Sequence, residues 1–200
     1  IPFTGAGERL MWHPYKAAFR AGSIGSAGTQ WDDANVGFYT WAGGYNTIAL
    51  GLSSFAMGYQ STALGSYSNA LGYTANADGT GAVAIGYRTT ADADYSVAIG
   101  QRASTNGRAG AIVFSDGSTT DSTQASANNQ FTVRAAGGYR LYTNATETVG
   151  MSMNAGGSSW NVISDRNRKE NFLAVDGEDL LTRIRSLPVT TWQYRDEHDR

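Results

Sequence analysis

Ser164 and Lys169 are the pair in this 200-residue chain whose types and spacing suggest covalent chemistry. A serine hydroxyl is a weak nucleophile at its free pKa and needs a neighbouring base. A lysine serves as that base only where burial lowers its pKa enough to leave a neutral amine. The scissile bond would be Ile163–Ser164: the hydroxyl attacks the carbonyl just before it, giving an ester that water opens. Attack on an adjacent carbonyl in a strained turn draws on effective molarity rather than on substrate binding. Ser164-Asp165 is equally an ordinary helix N-cap pair, and spacing alone leaves both readings open.

Other chemistry is sparse. Tyr45, Tyr59, Tyr73 and Tyr87 recur at one spacing and are candidate ligand-binding residues. Trp12, Tyr15 and Trp31 read either as a carbohydrate-stacking surface or as a plug for one end of the fold. Asp78, Asp92 and Asp94 could line a cation-binding edge, but Ca²⁺ wants six or more converging oxygens and these lie on successive repeats. The pair Asp32-Asp33 suits a solvated turn. The two histidines, His13 and His198, are far apart in sequence, so no histidine metal site or triad is expected, and no metal or cofactor. Cysteine is absent, which excludes a thiol nucleophile and a disulfide framework. No glycine-rich loop leads into lysine and a helix, and no carboxylate pair for glycoside hydrolysis stands out.

These residues hang on a periodic framework. Glycine returns every seven residues at 37, 44, 51, 58, 65, 72, 79, 86, 100 and 107, and Ala93 breaks the series. Before most of them stands a triplet such as Ile48-Ala49-Leu50, Phe55-Ala56-Met57, Val83-Ala84-Ile85 or Val97-Ala98-Ile99. A helix would lose about 1 kcal/mol per repeat to such glycines, whereas apolar residues at i and i+2 have strand spacing. Alternate heptads differ. The triplets before Gly44, Gly58, Gly72, Gly86 and Gly100 become and stay apolar (Val83/Ile85, then Val97/Ile99), while the intervening set decays from Ile48/Leu50 to Asn76/Asp78 and Ser104/Asn106. The repeat is therefore fourteen residues: a β-solenoid turn of two short strands, one facing a protected side and one facing water. With turns roughly 4.8 Å apart, the four tyrosines form a ladder along one edge.

The triplets at fourteen-residue spacing resemble the left-handed parallel β-roll of YadA-like trimeric adhesin heads. The resemblance implies the handedness and a homotrimer of rolls around one axis. A second resemblance covers residues 164–200. The run Ser164-Asp165-Arg166-Asn167-Arg168-Lys169-Glu170-Asn171-Phe172, then Asp176 and Leu187-Pro188-Val189-x-x-Trp192-x-Tyr194, looks like the start of the endosialidase-type intramolecular chaperone. That family sits at the C-terminus of phage tail spikes, tail fibres and some bacterial surface fibres. It helps the fibre trimerise and cuts itself off before the matching serine. Arg168 departs from the apolar residue usual there, and the stretch stops before the family's full length.

The expected fold class is all-β: a left-handed parallel β-roll in a homotrimeric fibre, then a β-rich connector and the beginning of an α+β chaperone. The expected domains are a cap over 1–36, the roll over 37–110, the connector over 111–163 and the truncated chaperone over 164–200. Phe131–Arg134 and Tyr139–Thr143 read as a hairpin, Ser118–Asn129 as an exposed loop, Glu178–Ser186 as a helix and Val189–Tyr194 as a strand. Net charge is −2 with a pI of about 5.6, which gives no electrostatic case for nucleic acid or an anionic membrane. No apolar run is long enough to span a bilayer, and without an initiator methionine or signal peptide the chain reads as an internal fragment. The expected function is attachment to a cell-surface glycan or protein, outside the cell, on a virion tail fibre or a bacterial surface. A C-terminal chaperone would promote trimerisation and cleave itself. The alternatives are a catalytic spike acting on surface polysaccharide and a structural fibre that is never cleaved.

Overall fold

The computed structural model describes residues 5–26, 28–163 and 169–191. They belong to two units: Ile1–Tyr139 with Met153–Ser159, and Arg140–Ser152 with Trp160–Arg200.

The first unit opens with β1 (Gly7–His13) and β2 (Ala18–Ile24), an antiparallel pair joined by a turn with Ala17 at φ +46°. Five turns of solenoid follow, each with a five-residue and a two-residue strand. They are β3 (Trp41–Tyr45) and β4 (Ile48–Ala49), β5 (Phe55–Tyr59) and β6 (Thr62–Ala63), then β7 (Asn69–Tyr73) and β8 (Asn76–Ala77). β9 (Val83–Tyr87) and β10 (Thr90–Ala91), then β11 (Val97–Gln101) and β12 (Ala103–Ser104), complete them. β13 (Ile112–Ser115), β14 (Thr123–Gln124) and β15 (Phe131–Arg134) continue the stack at wider spacing. Among the described residues, the long strands form a nine-stranded sheet in the order β1-β2-β3-β5-β7-β9-β11-β13-β15. The short ones form a six-stranded sheet, β14-β12-β10-β8-β6-β4. Every pairing after β1–β2 in these two sheets is parallel and in register, Ala42 beside Ala56 beside Ala70 and so on.

The interior is made of small side chains. The middle alanine of each triplet points inward, giving the fully buried column Ala42, Ala56, Ala70, Ala84 and Ala98, which ends on Val113. Ala49, Ala63, Ala77 and Ala91 line the opposite sheet, and Thr47, Ser61, Ala75, Thr89 and Ala103 fill one corner. The i and i+2 residues of the triplets therefore do not fill the roll. They face outward, because a strand sends alternate side chains to opposite faces and the lumen admits only the small one. Close stacking fixes the glycines too: a Cβ on Gly65 would lie 1.9 Å from the Gly79 carbonyl oxygen.

Each turn bends at two left-handed corners. One is at Asn46, Gln60, Thr74, Arg88 and Arg102, with φ from +48° to +55°; the other is at Tyr39, Ser53, Tyr67, Gly81 and Tyr95. At the first corner the backbone N–H donates to the turn before, as from Gln60 to Tyr45 at 2.7 Å, so stacking holds a conformation the side chain disfavours.

The hairpin expected over Phe131–Thr143 does not form. β15 joins β13 in parallel as the last strand of the nine-stranded sheet, since Phe131 and Val133 continue the outward rows begun by Ile112 and Phe114. The polar stretch 118–129 likewise contributes β14, which pairs with β12, and buries Ala125.

A three-stranded sheet orders β16 (Gly138–Tyr142), β17 (Gly150–Asn154) and β18 (Asn161–Ile163). In the second unit β17 and β18 run antiparallel, with Met151 opposite Val162. The helix α1 (Gly177–Arg185) is capped by the Asp176 carboxylate, which accepts from Glu178 N at 3.0 Å and Asp179 N at 3.4 Å. Its apolar residues Leu180, Leu181 and Ile184 stand exposed. Residues 189–191 form no strand, and Trp192–Tyr194 lie outside the described residues.

Candidate functional site

The tyrosine row is assembled by the register of β3, β5, β7 and β9. Tyr45 stacks on Tyr59 at 5.0 Å between ring centroids and 14° between planes, Tyr59 on Tyr73 at 4.9 Å and 3°, and Tyr73 on Tyr87 at 5.0 Å and 12°. The Arg88 guanidinium lies 5.5 Å from the Tyr87 ring centroid. Ring faces within the ladder are occupied by neighbouring rings, so Tyr59 and Tyr73 present edges and hydroxyls. Such stacking contributes about 0.5–1.5 kcal/mol per pair beyond area burial.

Beside this row run two apolar rows on the outer face of the nine-stranded sheet. Phe19, Trp41, Phe55, Asn69, Val83, Val97, Ile112 and Phe131 form one, and Ala21, Gly43, Met57, Leu71, Ile85, Ile99, Phe114 and Val133 the other. Asn69 is the polar interruption. Trp41 is 47% exposed, Met57 41% and Ile85 38%. Eight strands at the usual spacing make this strip roughly 34 Å tall. The opposite sheet shows Asn76, Asp78, Thr90 and Asp92 at equivalent outward positions, so the fade from apolar to polar distinguishes two outer faces.

Polar side chains form hydrogen-bonded networks near both ends of the roll. Arg20 occupies the inward column above Ala42 and is fully buried. Its guanidinium donates to Phe19 O at 2.7 Å, Thr40 O at 3.2 Å, Thr40 Oγ1 at 2.9 Å and Ala49 O at 3.0 Å, and desolvation lowers its pKa to about 10. Trp31 is buried with Met11 and Ile24 and donates from Nε1 to Thr47 O at 2.9 Å, whereas Trp12 and Tyr15 are exposed. The three aromatics thus divide: Trp31 plugs, and the others face solvent. His13, itself buried, pairs through Nε2 with Asp33 Oδ1 at 2.8 Å, and Lys16 reaches the same oxygen at 3.2 Å. At the other end Asp116 accepts from Ala136 N, Ser118 Oγ and Arg134 Nε, which holds its pKa well below the usual carboxylate range.

The serine of the Ser164–Lys169 pair lies outside the described residues. Lys169 is exposed, and Ile163 ends β18 opposite Gly150. Asp78, Asp92 and Asp94 serve different turns: Asp92 Oδ1 accepts from Thr105 Oγ1 and Gly107 N, and Asp94 Oδ1 accepts from Thr80 N. Partial burial and the charge of Asp92 push the Asp78 carboxyl up. Among the described residues no group of acidic or histidine side chains gathers to hold a metal ion, and no helix is long and apolar enough to cross a membrane. Sequence reasoning missed Arg20 and Asp116. The signal for Arg20 was available, since it stands two residues before a glycine in the same frame as Ala42 before Gly44.

These features define a parallel β-solenoid of fourteen-residue turns with an alanine-lined interior and one apolar outer face. In keeping with that, residues 42–68, 51–75, 69–89 and 77–103 match the YadA head domain repeat, and residues 164–200 match the chaperone of endosialidase. No curated protein and no solved structure matches the chain.

Proposed function

We propose that the chain is part of a homotrimeric adhesin or tail fibre that attaches to a cell surface, on a virion or a bacterial cell, through a glycan or protein receptor. The strip of two apolar rows carries this reading. Soluble monomers rarely expose contiguous apolar patches beyond a few hundred Å². The lumen compounds the problem, because alanine, serine and threonine bury little apolar area per residue. A roll so weakly filled gains its missing burial by packing its strip against copies of itself. The match to the YadA head domain repeat, a trimeric type of domain, supports three copies. The region matching the chaperone of endosialidase supports assembly by an intramolecular chaperone, followed by cleavage between Ile163 and Ser164 with Ser164 as nucleophile and Lys169 as base.

Light scattering tests the assembly. The expected molar mass is three times the 21.3 kDa of one chain, and Met57→Glu with Ile85→Glu drives it towards one. A compact wild-type monomer at micromolar concentration overturns the reading. Attachment is tested by binding of the labelled trimer to host cells, where Tyr59→Ala with Tyr73→Ala lowers binding and leaves the mass unchanged.

A further inference from the structure

Tyrosine occurs in two rows along the roll, in opposite patterns. The stacked ladder has a ring on every turn, so its faces are filled by neighbours. At the second left-handed corner Tyr39, Tyr67 and Tyr95 instead alternate with Ser53, Gly81 and Gly110, all at φ between +54° and +66°. Backbone N–H groups bond to the turn before, Tyr67 to Leu52 O at 2.7 Å and Tyr95 to Thr80 O at 2.8 Å, which keeps this row in register. Each of these tyrosines therefore has a small residue on the following turn, and its ring stays open. Tyr39 is 65% exposed, Tyr67 57% and Tyr95 71%, against 39–40% for Tyr59, Tyr73 and Tyr87. Tyr95 lies over the room that Gly81 leaves, where a Cβ would sit 3.2 Å from its Cδ1, and at such exposure its other face looks outward. The left-handed region disfavours a bulky residue, and serine or glycine serves on the intervening turns. Among the described residues the three rings make one ring contact, Phe38 tilted against Tyr39 at 6.3 Å, so the fold gains little from them.

We propose that this row is a binding track for an extended, neutral β-1,4-linked glycan, with one tyrosine under every second sugar ring. It deepens the attachment reading, on which its biological meaning rests. Tyrosines two turns apart are separated by roughly 9.6 Å at the usual strand spacing. The ladder's interplanar angles of 3–14° show that successive turns barely rotate, so the row is straight. A β-1,4-linked chain is a flat, straight ribbon with alternate rings flipped. The same C–H face therefore recurs once per disaccharide, a length that matches the tyrosine spacing. The aromatic face takes the C–H face of the sugar, while the tyrosine hydroxyls and Ser53 bond its hydroxyls. Asp94, one residue before Tyr95, opposes an acidic chain. A polyproline helix has nearly the same period, about 9.3 Å, but seats its rings in aromatic-lined grooves, and a solenoid corner is a convex ridge. One stacked ring binds weakly, so affinity comes from engaging several tyrosines at once.

Isothermal titration calorimetry on the whole chain tests this with cellohexaose and chitohexaose, which reach across all three tyrosines, and with the disaccharides cellobiose and chitobiose. Maltohexaose, whose α-linkages coil the chain, and a decaproline peptide are the contrasting probes. At least one β-linked hexasaccharide is expected to bind about tenfold or more tighter than its disaccharide, with maltohexaose and decaproline not binding. Tyr67→Ala removes the middle contact and weakens the hexasaccharide about tenfold, whereas Tyr67→Phe keeps its affinity within about twofold. Tyr67→Gly relieves the left-handed backbone, so it melts no lower than wild type and binds as weakly as Tyr67→Ala. The proposal is overturned if neither hexasaccharide binds, if length brings no gain, or if Tyr67→Ala binds as wild type does. Tyr67-dependent binding of decaproline overturns it in favour of a peptide ligand. A molar mass lowered by Tyr67→Ala, or a Tyr67→Gly melt well below wild type, overturns it in favour of a structural role. Cell binding separates the two readings. If wild type and Tyr67→Ala bind host cells equally, attachment stands and the row is not its receptor site. If neither binds while hexasaccharide binding depends on Tyr67, the track stands and attachment fails.

Discussion

Four glycine-to-alanine substitutions separate the two reasons a solenoid turn needs glycine. At Gly65 the backbone φ is ordinary, but an added Cβ would lie 1.9 Å from Gly79 O and 2.4 Å from its carbonyl carbon. At Gly107 φ is +69° with nothing within 4 Å. Gly72 combines both, with φ +133° and Gly86 O at 2.0 Å, and Gly137 has neither. The left-handed conformation alone costs an alanine about 1–2 kcal/mol. The clash at Gly65 is with backbone, so a whole turn must shift by about 1.3 Å to restore a contact near 3.2 Å. That shift strains the bonds from Leu64 N to Ala77 O at 3.0 Å and from Gly65 N to Ala77 O at 3.3 Å. Overpacking with one or two weakened hydrogen bonds costs about 3 kcal/mol. The expected losses are therefore about 3 kcal/mol for Gly65→Ala, about 1 for Gly107→Ala, about 4 for Gly72→Ala and near zero for Gly137→Ala. At about 2–4 °C per kcal/mol for a chain of this size, thermal melts followed by circular dichroism resolve the series. If Gly65→Ala melts with Gly137→Ala, the turns do not stack this closely and the solenoid reasoning is refuted.

Arg20→Met removes four hydrogen bonds from a buried guanidinium, but Thr40 O and Ala49 O also accept from Phe19 N and Gly37 N. The expected loss is about 2 kcal/mol in urea melts, and a gain in stability would mean that desolvation of the charge outweighs its bonds. Asp116, whose pKa is depressed, contributes stability that is fully present above the ordinary carboxylate range and is lost as pH falls through its folded value. Asp78, whose pKa is raised, acts oppositely and gains stability as pH falls towards about 4. Asp116→Asn should therefore flatten the acid limb of a urea-midpoint profile, and an unchanged limb refutes the assignment. In a chain carrying the whole chaperone region, Ser164→Ala should stop conversion to the shorter product on a denaturing gel. Equal sizes for wild type and variant end the Ser164–Lys169 proposal.

The period of the fold was legible in the residues. Glycine every seven, triplets alternating between two kinds and a tyrosine after every second glycine from Gly44 to Gly86 specify parallel strands stacked in register, and the rings stack at 4.9–5.0 Å. The helix after Asp176 was legible as well, from its cap and its apolar spacing. The catalytic proposal at Ser164 and Lys169 rests on motif alone, since Ser164 lies outside the described residues.

Which side of each strand faces inward was decided by the tertiary structure. A period of two places Ala56 opposite Phe55 and Met57 but does not say which of them fills the lumen, and hydrophobicity points to the wrong ones. The width of the turn decides it, because a coil of two short strands leaves room for a methyl or hydroxyl group and none for a phenyl ring. The corners at Asn46, Gln60 and Thr74 were hidden for a related reason: stacking onto the turn before holds their positive φ, and residue type does not announce it. The late strands followed the same rule. Phe131 and Val133 carry ordinary hairpin signals, yet they join β13, because an open solenoid edge already in register outcompetes a new turn.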